Sequence, residues 1–172
     1  MSLKILHTSD WHLGKKLFRL DRLPEQENFL TWLLTTNKQK IDHLIVAGDV
    51  FDVPQPPHRA LRVFYDFLAQ LVNETQATVW VIGGNHDSGT LLEAPQALLA
   101  SGRVHIYGSL RENPAEHWAK LKFPDGQHLD LCLLPYFRHH ELAPWKNHWT
   151  VELSEGWPER LVKEFLASPP KT

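Results

Sequence analysis

Apolar and polar positions follow two different periods along this chain, and the switches between them mark out its elements. Three short runs, Leu3-Lys4-Ile5-Leu6-His7-Thr8, His43-Leu44-Ile45-Val46-Ala47 and Thr78-Val79-Trp80-Val81-Ile82, are rich in β-branched residues and too short for helices. Runs of this kind suit buried parallel strands. Between them the period lengthens. From Pro24 to about Asn37, Phe29, Leu30, Trp32, Leu33 and Leu34 make the apolar side of one helix. After Pro56-Pro57, Leu61, Phe64, Tyr65, Leu68, Leu71 and Val72 recur at helical spacing as far as about Asn73. Strand, helix, strand, helix, strand makes two successive βαβ units, with the three strands side by side.

A third helix is expected from Leu91 to about Ala100, stopped by Gly102, and Val104-His105-Ile106-Tyr107 reads as a fourth strand. Beyond Gly108 the pattern changes. Trp118 to Phe123 and His128 to Leu133 flank Pro124-Asp125-Gly126-Gln127, a hairpin turn, and read as part of a second sheet. Residues 135–149 read as loop and Pro158 to Leu166 as a last amphipathic helix. The expected fold class is therefore α/β, a two-layer β-sandwich core flanked by helices, in a single domain over residues 1–172.

Composition narrows this little: 172 residues, 42% hydrophobic and 22% charged, are enough for one ordinary core. A formal net charge of −2 argues against a general polyanion-binding surface and leaves only a focused basic patch. The one cysteine, Cys132, sits in Leu131-Cys132-Leu133-Leu134 and reads as a small core residue; no internal disulfide is possible. No apolar stretch approaches the roughly 20 residues of a membrane helix, so a cytoplasmic protein without a membrane partner is expected.

The chemistry lies where the first three strands end. Asp10-Trp11-His12, Gly48-Asp49-Val50-Phe51-Asp52 and Gly83-Gly84-Asn85-His86-Asp87 each follow an apolar run directly. In an open parallel sheet such segments converge beyond the carboxyl ends of the strands. Together they offer carboxylate, amide and imidazole donors, a set suited to Mn²⁺, Fe²⁺ or Zn²⁺ more than to Ca²⁺. Asp49 is placed to bridge two ions of the kind that clamp the attacking and leaving oxygens in phosphoryl hydrolysis. Asp87 reads as a group that orients His86 or its loop, and Asp52 as a structural loop acceptor. Lys15, Lys16, Arg19 and Arg22 follow the first segment closely, either as contacts to substrate phosphates, those of DNA if the resemblance given below holds, or as a solvated loop. His7, His43, His58, His105, His117, His128, His139, His140 and His148 share no ligand spacing and read as surface or satisfied core residues. Trp32 and Trp80 fall in core-patterned elements, whereas Trp145, Trp149 and Trp157 would pack a loop-rich corner.

In their order and wording these segments resemble the motifs Asp-x-His, Gly-Asp-x-x and Gly-Asn-His-Asp/Glu of the calcineurin-like metallophosphoesterases. Within that family, His7-Thr8-Ser9-Asp10-Trp11-His12-Leu13-Gly14 and Val46-Ala47-Gly48-Asp49-Val50-Phe51-Asp52 are similar to the SbcD-type nuclease branch. The resemblance implies two divalent metal ions, manganese foremost, with Asp10 and His12 on the first, Asp49 on both and Asn85 on the second. It implies His86 as the catalytic residue beside the scissile phosphate, stabilising charge or protonating the leaving oxygen. It further implies a DNA exonuclease and endonuclease working with an SbcC-like ATPase in recombination, repair and replication. A homodimer through helices equivalent to residues 57–72 and 91–100 is also implied. The family's three further metal-binding histidines, one alone and two in Gly-His-x-His, have no counterpart here. The chain is accordingly expected to be an N-terminal portion of such a nuclease, without its capping and partner-binding regions. Two other readings stay open: a phosphatase or small-molecule phosphodiesterase of the same superfamily, and an inactive binding or dimerisation module.

Overall fold

The computed structural model describes residues 3–37, 41–96, 102–123, 126, 128–147 and 157–167. Four strands, β1 (Ile5–Thr8), β4 (His43–Ala47), β5 (Thr78–Ile82) and β6 (Val104–Tyr107), form one parallel sheet in the order β1-β4-β5-β6. The order is sequential because each strand is carried to its neighbour by a crossover, the first two helical: α1 (Leu23–Asn37) and α2 (His58–Glu74). An α/β fold results.

Both faces of the sheet are covered, and side-chain alternation sorts them. Leu44, Val46, Val79, Val81, Val104 and Ile106 pack with the buried stripes of α1 (Leu23, Leu30, Leu33, Leu34) and α2 (Ala60, Phe64, Phe67, Leu68, Leu71) in one core. The residues between them, Ile45, Trp80, Ile82 and Tyr107, face the other way and meet Leu121 and Leu133. That second layer is an antiparallel hairpin of β7 (Trp118–Lys122) and β8 (His128–Cys132). A smaller cluster of Leu142, Trp145 and Phe165 closes its outer side with Trp118, Cys132 and Leu134; Phe165 belongs to α4 (Trp157–Ala167). The two β layers lie between helices.

His117 fastens the layers together. Fully buried at the end of a short 3-10 turn, it donates from Nδ1 to the Leu133 carbonyl (2.9 Å) while its Nε2 accepts the Arg111 amide (2.9 Å). Both ring nitrogens are satisfied by backbone, which requires the neutral ring. Burial accordingly holds its pKa below the ordinary histidine value.

Four elements depart from expectation. The third helix, α3, spans only Gly89–Glu93: Ser88 caps it by accepting from the Leu91 amide, and Pro95 follows closely. Residues 139–147, expected as loop, form a 3-10 stretch in which Pro144 precludes a regular α-helical ladder. Two-residue strands β2 (Lys16–Leu17) and β3 (Leu20–Asp21) make a small hairpin that no alternation announced. Its turn residues Phe18 and Arg19 both have positive φ (47° and 69°), the geometry of a primed two-residue turn without the usual Asn-Gly. Trp32, expected in the core, is 56% exposed, and Phe29 beside it 37%. Of the other expectations, Pro124, Asp125 and Gln127, the helix residues 97–100, His148 and Trp149 lie outside the described residues, as do the side chains of His139 and Trp157.

Candidate metal centre

The three polar segments converge at the carboxyl edge of the sheet because their backbones bond to one another. Past the end of β1, the amides of Asp10, His12 and Leu13 donate to the carbonyls of Gly48, Asp49 and Val50 (3.1, 2.9 and 2.8 Å), so the first loop runs alongside the second. The third loop is tied to the second through Asp87, whose carboxylate accepts from the amides of Val50, Phe51 and Gly84 at 2.9 to 3.1 Å. The amide of His86 donates to Asp49 Oδ1 (3.0 Å). Burial pushes the Asp87 carboxyl above its ordinary range, against the three amide donors that favour the charged form.

These contacts hold the backbone in an unusual state. Asp10, His12 and Asp49 all have positive φ (57°, 45° and 51°), a region that non-glycine residues occupy seldom and at some cost. The third loop approaches so closely that a Cβ on Gly84 would lie 2.2 Å from Asp49 Oδ1 and 2.3 Å from its amide nitrogen. Only glycine fits there. From α1 the carboxamide of Gln26 completes the clamp: it accepts the Gly14 amide (3.0 Å) and donates to the carbonyls of Trp11 (3.1 Å) and His12 (2.7 Å).

The result is a convergence of donors. Ligand atoms of Asp10, His12 and Asp49 lie within 4.8 Å of one another, as do those of His12, Asp52 and His86. His12 Nε2 is 3.9 Å from both Asp10 Oδ1 and Asp49 Oδ2. That is too long for a hydrogen bond and within the span of two ligands on one ion, whose bonds run roughly 2.0–2.2 Å. Asn85 borders a cleft of about 260 Å³ together with Asp10, Asp49 and Tyr136. His12 and His86 meet edge to face at 4.9 Å, and His86 Nδ1 is 2.8 Å from the Asp52 carbonyl.

Asp52 is the residue that the sequence undervalued. Its carboxylate stands 3.3 Å from His12 Nδ1 and 3.4 Å from Lys15 Nζ, while its carbonyl takes the His86 ring. The His12 contact is close but poorly aligned, so His12 Nδ1 is buried without a well-formed hydrogen bond. A carboxylate facing one ring nitrogen leaves the other, Nε2, free toward Asp10 and Asp49, the usual bracing of a metal-binding histidine. Three carboxylates around one imidazole, with Lys15 drawn to Asp52, is a donor set that fits divalent transition ions. Asp87, by contrast, braces the loop; its carboxylate acts on backbone amides, whereas the His86 ring is held by Asp52. Gln26 too was missed. No motif names it, and only the fold brings α1 under the first loop.

The basic residues divide. Lys15 and Arg22 border a cavity of about 370 Å³ with Asp10, His12 and Phe29, and Arg22 also pairs with Glu25. Lys16 and Arg19 are exposed on the β2–β3 hairpin. Of the remaining histidines, His43 and His105 flank Trp80, which donates to His43 Nδ1 at 3.2 Å and stacks on His105 at 4.3 Å. Among the described residues, no helix is long and apolar enough to cross a membrane.

A sequence profile of the Calcineurin-like phosphoesterase family matches residues 3–167. The chain is similar to the SbcD component of the SbcCD nuclease from Bacillus subtilis (strain 168), with 41% identity over 164 residues, 94% of this chain and 39% of that one. It is 36% identical over 173 residues to the same-named protein of Rhodobacter capsulatus, covering 96% and 42% of the two chains. With that of Escherichia coli (strain K12) it shares 34% over 141 residues, 81% and 34%. The chain thus spans between about a third and two fifths of the length of these curated relatives.

Proposed function

The chain belongs to the calcineurin-like phosphoesterase family, and from that premise we propose that it carries the first metal-binding segments of the nuclease domain of an SbcD-like, manganese-dependent DNA phosphodiesterase. The observation that carries this reading is the gathering of Asp10, His12 and Asp49 ligand atoms within 4.8 Å, with Asn85 on the same cleft. In this reading Asp10, His12, Asp49 and Asn85 would hold the divalent ions. When bound, such ions supply positive charge to the phosphoryl oxygens as Lewis acids.

The chain's own groups do the rest. His86 donates from Nδ1 to the Asp52 carbonyl, so in its charged form Nε2 carries the proton that reaches the leaving oxygen. Asp87 and Gln26 keep the loops in register, and Asp52 orients His12. Lys15 and Arg22 take the phosphates flanking the cut, with Lys16 and Arg19 on the hairpin as further contacts. An SbcC-like ATPase as partner, a cytoplasmic setting, and roles in recombination, repair and replication belong to the same proposal; the relatives' name, a subunit of the SbcCD nuclease, supports the partner.

The test compares labelled duplex DNA with nitrophenyl phosphate esters, with and without Mn²⁺. Mn²⁺-stimulated loss of the DNA, with the esters cleaved slowly, supports a nuclease; the reverse preference makes it a phosphatase. Asp49→Asn should lose both metal and rate, whereas His86→Gln should keep the metal and lose the rate. Cleavage retained in both variants overturns the assignment.

A further inference from the structure

The apolar pattern of α1 places Phe29 and Trp32 on its buried side, yet the fold leaves both in partial contact with solvent and stacked on each other, ring centres 6.1 Å apart and planes 30° from parallel. Leu30, Leu33 and Leu34 already cover the sheet. Phe29 leans edge-on against Trp11 at 6.3 Å, the residue between Asp10 and His12. With Trp11 it also forms the aromatic wall of the 370 Å³ cavity whose other sides include Asp10, His12, Lys15, Arg22 and Glu25, the last paired with Arg22. One continuous recess therefore joins two candidate metal ligands, two cations that a phosphate would draw from their partners Asp52 and Glu25, and a flat aromatic surface. Its volume is within the range of small-ligand pockets, roughly 300–1,000 Å³.

We propose that this recess is a nucleobase subsite: the base of the nucleotide next to the phosphodiester being cut stacks on Phe29, with Trp32 extending the platform and Lys15 and Arg22 facing the phosphate. This rests on the nuclease reading above. The chemistry selects the occupant. A nucleotide carries a flat π-face and an anionic ester at a short fixed separation, and aromatic platforms beside cationic grooves are how unpaired strands are held. Such stacking tolerates any base. A base inside a duplex has both faces covered, so the subsite takes only an unstacked nucleotide, and frayed or mismatched ends are its natural substrates.

The test uses the full chain carrying His86→Gln, with Mn²⁺, and a five-nucleotide single strand bearing 2-aminopurine at each position in turn, or an abasic residue there. At one position the fluorescence should fall on binding, and the abasic residue should weaken binding about tenfold. Phe29→Leu with Trp32→Leu should weaken the base-bearing strand by the same factor, leaving the abasic strand and Mn²⁺ affinity unchanged. Trp32→Leu alone, at a more exposed position, keeps the test open should the double variant fail to fold, with a loss of about threefold. A protein that binds Mn²⁺ and the strand but is indifferent to the abasic residue overturns the subsite and spares the nuclease reading. Failure to bind either Mn²⁺ or strand sinks both. If sedimentation shows the double variant dissociating a dimer, the aromatic face belongs to a second copy and the subsite is wrong.

Discussion

The Gln26 carboxamide donates to the His12 carbonyl at 2.7 Å, and with its two further bonds it holds the first loop in the left-handed backbone that aims the Asp10 and His12 side chains. Gln26→Ala removes all three bonds. We expect it to weaken Mn²⁺ binding about tenfold and to lower stability by about 1–2 kcal/mol. Calorimetric titration and urea unfolding on the same sample check both; unchanged metal affinity would show that the clamp is only structural.

Asp52 separates side-chain from backbone roles. Its carboxylate faces His12 and Lys15, but His86 bonds to its carbonyl. Asp52→Ala should therefore cost roughly 10–100-fold in Mn²⁺ affinity, Asp52→Asn less because it keeps an oxygen toward Nδ1. The His86 ring resonances should barely move in either variant, which NMR can follow.

Gly84→Ala drives a methyl group into the Asp49 carboxylate and amide. Overpacking of this kind costs about 1–3 kcal/mol, and here the displaced group is a proposed ligand. Metal binding should be lost before the fold is. A Gly84→Ala protein with native Mn²⁺ affinity would mean that the third loop can retreat without consequence.

His117 makes stability depend on acidity. Burial lowers its pKa in the folded protein, as it also does for His43 and His105. The unfolded chain thus binds more protons than the folded one below the ordinary histidine value of about 6.5. Stability should be level above that pH and fall as the pH drops through it and toward the lowered folded values. His117→Gln should be less stable at neutral pH, because two backbone groups lose well-placed partners, and its stability should change less between pH 7 and 5. Denaturant midpoints against pH test the slope.

Burial pushes the Cys132 thiol up to about 11. The native protein should resist iodoacetamide at pH 8 and react readily in urea. Rapid native alkylation would mean that the cluster around Trp145 and Phe165 opens easily.

Much of this molecule is legible along the chain. Leu44, Val46, Val79 and Val81 alternate with Ile45, Trp80 and Ile82, so the order of residues sets strand type and both buried faces; α2 is legible for the same reason, one period matched to one packing surface. The three polar segments could be located because each begins where an apolar run stops. What the sequence could not supply is whatever depends on two distant segments touching. Trp32 obeys the helical period and still meets solvent, since period tells which side of a helix is apolar but not how far the neighbouring sheet extends. Asp52 closes the second polar segment without a ligand pattern of its own, and Gln26 lies in no segment at all; their importance comes from lying against His12, across the loops in one case and beneath them in the other. The left-handed backbone at Asp10, His12 and Asp49 is likewise a product of inter-loop hydrogen bonds, because Asp and His tolerate that region better than most side chains but do not choose it without the fold to hold them there.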